Sequence, residues 1–152
     1  MLYFEDMEVG RTRRFGSYEV TREEVLEFAG KYDAQPFHLS DEAAAQTHFG
    51  RIAASGWHTC SMTMAMMVED MKDEPTAALG AIGLEQLRWI KPVYPGDTLS
   101  CETEVLETKR SRSKPHMGRL TVRTTTFNQH GEAVLDLTSL TLIRTRDPEG
   151  SD

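Results

Sequence analysis

Residues 56–72 constrain the fold more than any other stretch, because a helix through them is apolar on nearly every side: Trp57, Cys60, Met62, Met64, Ala65, Met66, Met67, Val68 and Met71. A single apolar stripe would let such a helix lie on a surface. Apolar residues all round predict a helix buried all round, so the rest of the chain must wrap it. At ~1.5 Å per residue it is roughly 24 Å long, about the width of a small sheet. Asp73, Glu74 and Pro75 end it. The charge-free run 52–68 is short for a bilayer span and contains Ser, Thr, His and Gly, so it reads as a core helix and no membrane partner is expected.

The wrapping material lies mostly downstream. Residues 81–91, 98–108, 119–128 and 133–144 are rich in β-branched and apolar side chains, with Pro95-Gly96-Asp97 and Asn128-Gln129-His130-Gly131 as turn signals. Leu99, Cys101, Thr103 and Val105 alternate with Ser100, Glu102 and Glu104, which suits a sheet with one dry and one wet face. Leu135 and Leu137 are out of phase with Leu140 and Leu142, predicting a bulge near Thr138. The basic, Ser-rich run 109–117 reads as an exposed loop.

Upstream, residues 1–10 read as a poorly structured lead-in and 11–20 as a first strand. Thr21 and Glu24 have capping-box spacing and open a helix to about Lys31, with Val25, Leu26, Phe28 and Ala29 on one face. Ser40 or Asp41 caps a short helix through Ala43, Ala44 and Ala45, which His48-Phe49-Gly50 ends. Residues 147–152 are expected to be a disordered tail. This order implies an α+β domain over 1–146: an antiparallel sheet of about five strands around one long buried helix, the hot-dog fold. One domain is also what 152 residues lead one to expect.

Composition narrows the partners. Twenty-four acidic against seventeen basic residues give a net charge of −7, which argues against nucleic-acid binding. Cys60 and Cys101 are too few for a disulfide framework and too isolated for a zinc ribbon, and a reducing cytoplasm is the simplest setting. The N-terminus is acidic where an export signal would be basic and then apolar, so no export is expected. His38, His48 and His58 recur every ten residues, which is no metal-ligand spacing, and no metal is expected.

The chemistry gathers in residues 32–57. Pro36 lacks an N–H and biases Gln35 toward extended geometry, so Asp33 and His38 are expected on a loop that can turn both side chains to one spot. Gly56 opens the long helix, whose N-terminus offers unsatisfied N–H groups and partial positive charge to a developing oxyanion. Asp33, His38 and the Gly56 N–H together make an acid/base pair beside an oxyanion site. Each residue has a plain alternative. Asp33 could end a helix, His38 could bond a backbone group, Gly56 could serve packing, and the methionines could be core filler rather than the lining of an acyl tunnel.

Asp33-Ala34-Gln35-Pro36-Phe37-His38-Leu39-Ser40-Asp41 resembles the Asp-x-Asn-Pro-apolar-His-x-Asp/Glu motif of the MaoC-like (R)-specific enoyl-CoA hydratases, with the last acid one position further on. Phe49-Gly50 with Ala54-Ser55-Gly56, and the run 91–98, are similar to further segments of that family, so the likeness extends over about residues 3–146. It implies a hydratase/dehydratase acting reversibly on a 2-enoyl-CoA or carrier-protein thioester to give an (R)-3-hydroxyacyl thioester. It also implies that Asp33 and His38 are the catalytic pair, Asp33 the principal base, although exchanged roles fit the sequence equally well. The Gly56 N–H would polarise the thioester carbonyl. Gln35, Pro36, Phe37, Ser55 and Trp57 are expected beside the substrate, and Arg110, Arg112 and Lys114 are candidates for contacts with CoA phosphates. No cofactor is implied beyond acyl-CoA as substrate. Hot-dog sheets leave long edges that pairing covers, so a homodimer, or a higher oligomer built from it, is expected. Gln35 stands where the motif has Asn, and Ser55 where His is common. A thioesterase of the same fold and a non-catalytic acyl-thioester-binding subunit are the alternative readings.

Overall fold

In the computed structural model, which describes residues 1–147 and Glu149, five strands form one antiparallel sheet in the order β1-β3-β4-β5-β2. These are β1 (Thr12–Glu19), β2 (Ala78–Trp89), β3 (Thr98–Arg110), β4 (Met117–Phe127) and β5 (Ala133–Arg144). Between β1 and β2 the chain forms α1 (Arg22–Tyr32), α2 (Pro36–Leu39), α3 (Asp41–Ala45) and the long α4 (Gly56–Asp73). This is the α+β hot-dog arrangement that the sequence implied. Residues 148 and 150–152, most of the expected tail, lie outside the described residues. Asp147 accepts a hydrogen bond on its carbonyl from Arg110 Nη2 at 2.6 Å.

The expectation that α4 is buried all round is corrected. Helix α4 lies against β1 and β3, and His58, Thr59, Met62, Thr63 and Met66 form its buried face. The Thr63 and Thr126 hydroxyls bond at 2.7 Å and tie that face to the floor of the sheet. Around it pack Val20, Val25, Ile52, Leu99, Val134 and Leu135. The opposite face is open, with Met64 54% and Val68 52% exposed. The sheet covers one side of the helix; the other side is apolar surface that the described residues leave bare.

The bulge also falls elsewhere. β5 pairs with β4 in one unbroken register from Arg144 to Leu135, straight through Thr138. Its odd-numbered residues keep one face, while Leu140 and Leu142 turn to the other, half-buried. The irregularity sits on β2, where Leu79, Ile82 and Glu85 each fall between residues paired with consecutive residues of β5. As an edge strand, β2 bends without disturbing a second neighbour. It is also nearly bare: Ile82 is 61% and Leu84 50% exposed.

Three local expectations change. The lead-in is held, with Phe4–Asp6 forming a 3-10 turn, Leu2 bridging Thr76, and Arg146 paired with Asp6. Helix α3 stops at Ala45, short of Gly50, which takes a φ of +73° in the following turn. Only half of the capping box forms: Glu24 N–H donates to Thr21 Oγ1 at 3.2 Å, while the Glu24 carboxylate goes to Tyr18 and His58. Among the described residues no helix is long and apolar enough to cross a membrane.

Candidate active site

Helix α1 ends at Tyr32, and Asp33 caps it, its N–H donating to the Ala29 carbonyl at 2.9 Å. The stretch that follows is not the loop expected from Pro36. Gln35 is extended, as a residue before proline should be, but Pro36 then occupies the first position of α2, where a missing N–H costs nothing. That single turn swings His38 inward, to 4% exposure.

His38 Nδ1 lies 2.8 Å from the Ala53 carbonyl oxygen. A carbonyl only accepts, so Nδ1 carries the hydrogen, and in the neutral ring Nε2 is the free lone pair. That Nε2 is 3.3 Å from Asp33 Oδ2. Asp33 is itself gripped, Oδ1 accepting from Gln35 Nε2 at 2.6 Å and Oδ2 from the Ser55 hydroxyl at 2.7 Å. Burial pushes the Asp33 pKa up, but the hydrogen bonds from Gln35 and Ser55 and the nearby His38 outweigh it, and the carboxyl titrates below its ordinary 3.8. The two positions at which the chain departs from the family motif thus both donate to Asp33.

Ser55 is the N-cap of α4, yet its hydroxyl makes no cap hydrogen bond because it is turned to Asp33. The first-turn N–H groups, Gly56 included, therefore have neither an intrahelical acceptor nor the usual serine cap. Gly56 also has a packing reason to be glycine. A Cβ there would sit 2.5 Å from Trp89 Cε2, and Trp89 Nε1 donates to the Gly56 carbonyl at 2.8 Å. Both readings of Gly56 are compatible, since the indole meets the side-chain position and the carbonyl, while the N–H is a first-turn donor.

Asp33, His38, Gly56 and Trp57 line one cavity of about 400 Å³, walled by Phe49, Trp89, Ile90 and Val93. The remaining expected substrate neighbours do not reach that lining. Gln35 and Ser55 hold Asp33, Pro36 starts α2, and Phe37 stacks on Phe49 at 5.5 Å with its ring 4.6 Å from His38. Trp89 was not anticipated; the one signal for it was a large aromatic at the end of a strand. A larger cavity of about 610 Å³, lined by Arg14, Ser100, Phe127 and Gln129 among others, brings together no imidazole and carboxylate.

Arg110, Arg112 and Lys114 are not at the site of their own chain. The cavity lies at the Trp89 and Thr98 end of the sheet, and β3 runs 13 residues from there to Arg110, which is roughly 40 Å at strand rise. Arg110 lies 3.6 Å from Glu5 and bonds the Pro115 and Asp147 carbonyls. Lys91, bonded to Glu132, is instead the cation on the cavity lining. Among the described residues no three His, Cys, Asp or Glu side chains are grouped so as to hold a metal ion.

A family model described as "MaoC like domain" matches residues 5–128. The crystal structure of a MaoC-like dehydratase from Rhodospirillum rubrum is similar at 38% identity and a TM-score of 0.89, over 97% of this chain and 99% of that one. The uncharacterized protein YdeM of Bacillus subtilis is 30% identical over 125 residues, 82% of this chain and 86% of that protein. A 3-hydroxybutyryl-CoA dehydratase of Methylorubrum extorquens is 35% identical over 109 residues, 70% of this chain and 66% of that enzyme.

Proposed function

The chain belongs to the MaoC-like dehydratase family, and on that premise we propose that it is an acyl-thioester hydratase/dehydratase, adding water reversibly to a 2-enoyl-CoA or carrier-protein thioester to give the (R)-3-hydroxyacyl thioester. One observation carries the reading. Asp33 Oδ2 and His38 Nε2, both acceptors, converge within 3.3 Å on a cavity that also holds an uncapped helix start.

Two acceptors at that spacing suit one water that donates a hydrogen to each. Asp33, held ionised by Gln35 and Ser55, takes the water proton as its oxygen bonds to C3 of the enoyl group. The C2=C3 electron pair moves toward the thioester, and the Gly56 N–H at the positive end of α4 holds the enolate oxygen. The pair then returns the proton to C2, so its net charge is unchanged over the cycle. His38, its ring fixed by the Ala53 carbonyl, orients the water and shares the proton. Dehydration is the same path in reverse. Phe49 and Val93 give the enolate an apolar wall, where the helix-end donor acts more strongly than it would in water.

The test is loss of enoyl-thioester absorbance with crotonyl-CoA, beside an assay for free thiol. Hydration without thiol release is expected. Thiol release without hydration would make the protein a thioesterase, and neither would make it a binding subunit.

We further propose a two-fold homodimer. It would cover both surfaces the single chain leaves bare, the β2 edge and the Met64 and Val68 face of α4. Trp57 and Trp89 are also exposed, which would place the cavity near that interface. A monomer in sedimentation at micromolar concentration would contradict this. Two free cysteines, Cys60 and Cys101, suit a reducing cytoplasm, and burial pushes the Cys101 thiol up to about 11.

A further inference from the structure

A second imidazole and carboxylate lie beside the same helix start and take no part in the chemistry above. Glu24 is the third residue of α1 and His58 the third residue of α4. Glu24 Oε1 accepts from the Tyr18 hydroxyl at 2.6 Å and lies 2.9 Å from His58 Nε2. One carboxylate oxygen therefore joins β1, α1 and α4. The His58 ring also lies flat on Phe28, one turn along α1, with centroids 4.6 Å apart and planes at 7°.

The arrangement is costly for mere packing. With Nε2–H given to Glu24, Nδ1 of a neutral His58 is a bare lone pair, and it is buried with no partner. Leucine or phenylalanine would fill the space without that loss. Glu24 is likewise drawn away from its own helix start, which its position in the capping box would otherwise let it close.

What the contact does is fix α1 against the first turn of α4. Asp33 is the C-cap of α1, and Gly56 lies two residues ahead of His58. The base and the oxyanion donor are thus carried on two helices, and their separation depends on how those helices lie against each other. At one end they meet through Ser55 and Asp33. At the other they meet through Glu24, His58 and Phe28. Two attachments along α1 prevent it from pivoting, where one alone would not.

We propose that Tyr18, Glu24 and His58 are a positioning unit that sets the reach from Asp33 and His38 to the N-terminus of α4. This rests on the hydratase reading for its consequence in catalysis, but not for its geometry. A displacement of an ångström at a reacting centre costs about a hundredfold in rate, so a freed α1 should lower turnover while leaving substrate affinity in place.

The test compares His58→Leu, which fills the volume and deletes the bond, with His58→Gln, whose amide can still donate to Glu24, and with Glu24→Gln, which keeps the acceptor. Each is measured for kcat and KM on crotonyl-CoA per folded protein, and for the amide shift of Gly56 and the ring nitrogen shifts of His38 in the free protein. His58→Leu should lower kcat about tenfold to a hundredfold with KM within about twofold, and should move the Gly56 and His38 signals. His58→Gln and Glu24→Gln should restore both to near wild type. A His58→Leu protein that melts earlier but keeps its kcat and its Gly56 signal would reduce the unit to a stabilising tie and overturn the proposal. So would a change confined to KM. If wild type hydrates no enoyl thioester while the Gly56 and His38 signals still move and are restored, the hydratase reading fails and the positioning geometry stands.

Discussion

His38 and His58 each set an imidazole Nε2 against a carboxylate supplied by α1, at 3.3 Å from Asp33 and 2.9 Å from Glu24. Both rings are almost fully buried. They differ in what surrounds the second nitrogen and the carboxylate. His38 has Nδ1 satisfied by the Ala53 carbonyl, so its Nε2 is a lone pair facing the cavity. His58 has Nδ1 unpaired, and its Nε2 is committed to Glu24, whose accepting oxygen is shared with Tyr18. A histidine and an acid in contact are therefore not enough to mark a catalytic pair. The pair able to move a proton is the one whose anchoring bond points away from the acid and whose two members both line a cavity where one water can reach them.

The largest effect should fall on the cavity-facing pair. His38→Ala should lower hydration by several orders of magnitude, while His58→Leu lowers it by about a hundredfold at most. Equal losses from the two in steady-state assays would break the distinction.

Next comes the helix start that both pairs flank. Gly56→Pro alone is ambiguous, because any side chain there strikes Trp89. In a Trp89→Ala background Gly56→Ala keeps the N–H and should be nearly silent, while Gly56→Pro removes it and should cost about a hundredfold in kcat. Equal rates for the two would remove the Gly56 N–H from the reaction.

Smaller again is the pH dependence. Asp33 titrates below 3.8 because Gln35 and Ser55 favour its charged form. Ser55→Ala or Gln35→Leu should raise that pKa, so the acid limb of kcat/KM moves to higher pH. The stability Asp33 contributes is present above 3.8 and is lost as pH falls through its lowered folded value; either variant should shrink that increment in acid melts. Unshifted acid limbs in both variants would mean that these donors do not tune Asp33. The smallest effect is expected from Arg112→Ser with Lys114→Ser, which should leave KM for crotonyl-CoA unchanged if the site is made by one chain. A raised KM would bring the partner's loop to the cavity.

The parts of the fold legible in sequence were those set by local pattern. Period-two alternation located β3, Thr21 located the start of α1, and the charge-free run located α4. Proximity across the chain was less legible. Trp89 meets Gly56 across 33 residues, and nothing near either position announces it. Arg110 sits at the far end of β3 because strand direction, not composition, decides where a basic run lies. The exposed face of α4 was misread because apolar residues show that a surface must be covered, without saying whether the same chain covers it. At the site, the motif spacing indicated that Asp33 and His38 could meet. The use of Gln35 and Ser55 as donors to Asp33 required knowing that Ser55 turns from its own helix, donating to a carboxylate instead of accepting from the first-turn N–H groups, a choice that spacing cannot express.

The central claim is that Asp33 and His38 act on one water as a unit. It is tested most directly by hydration rates for wild type, Asp33→Asn, His38→Ala and the double variant, all verified as folded, on one crotonyl thioester. The two singles should each lose several orders of magnitude, and the double should be scarcely slower than either, because the first loss already disables the shared step. Losses whose free energies add in the double variant would assign the residues to separate steps, and near-wild-type hydration by either single would contradict the site itself.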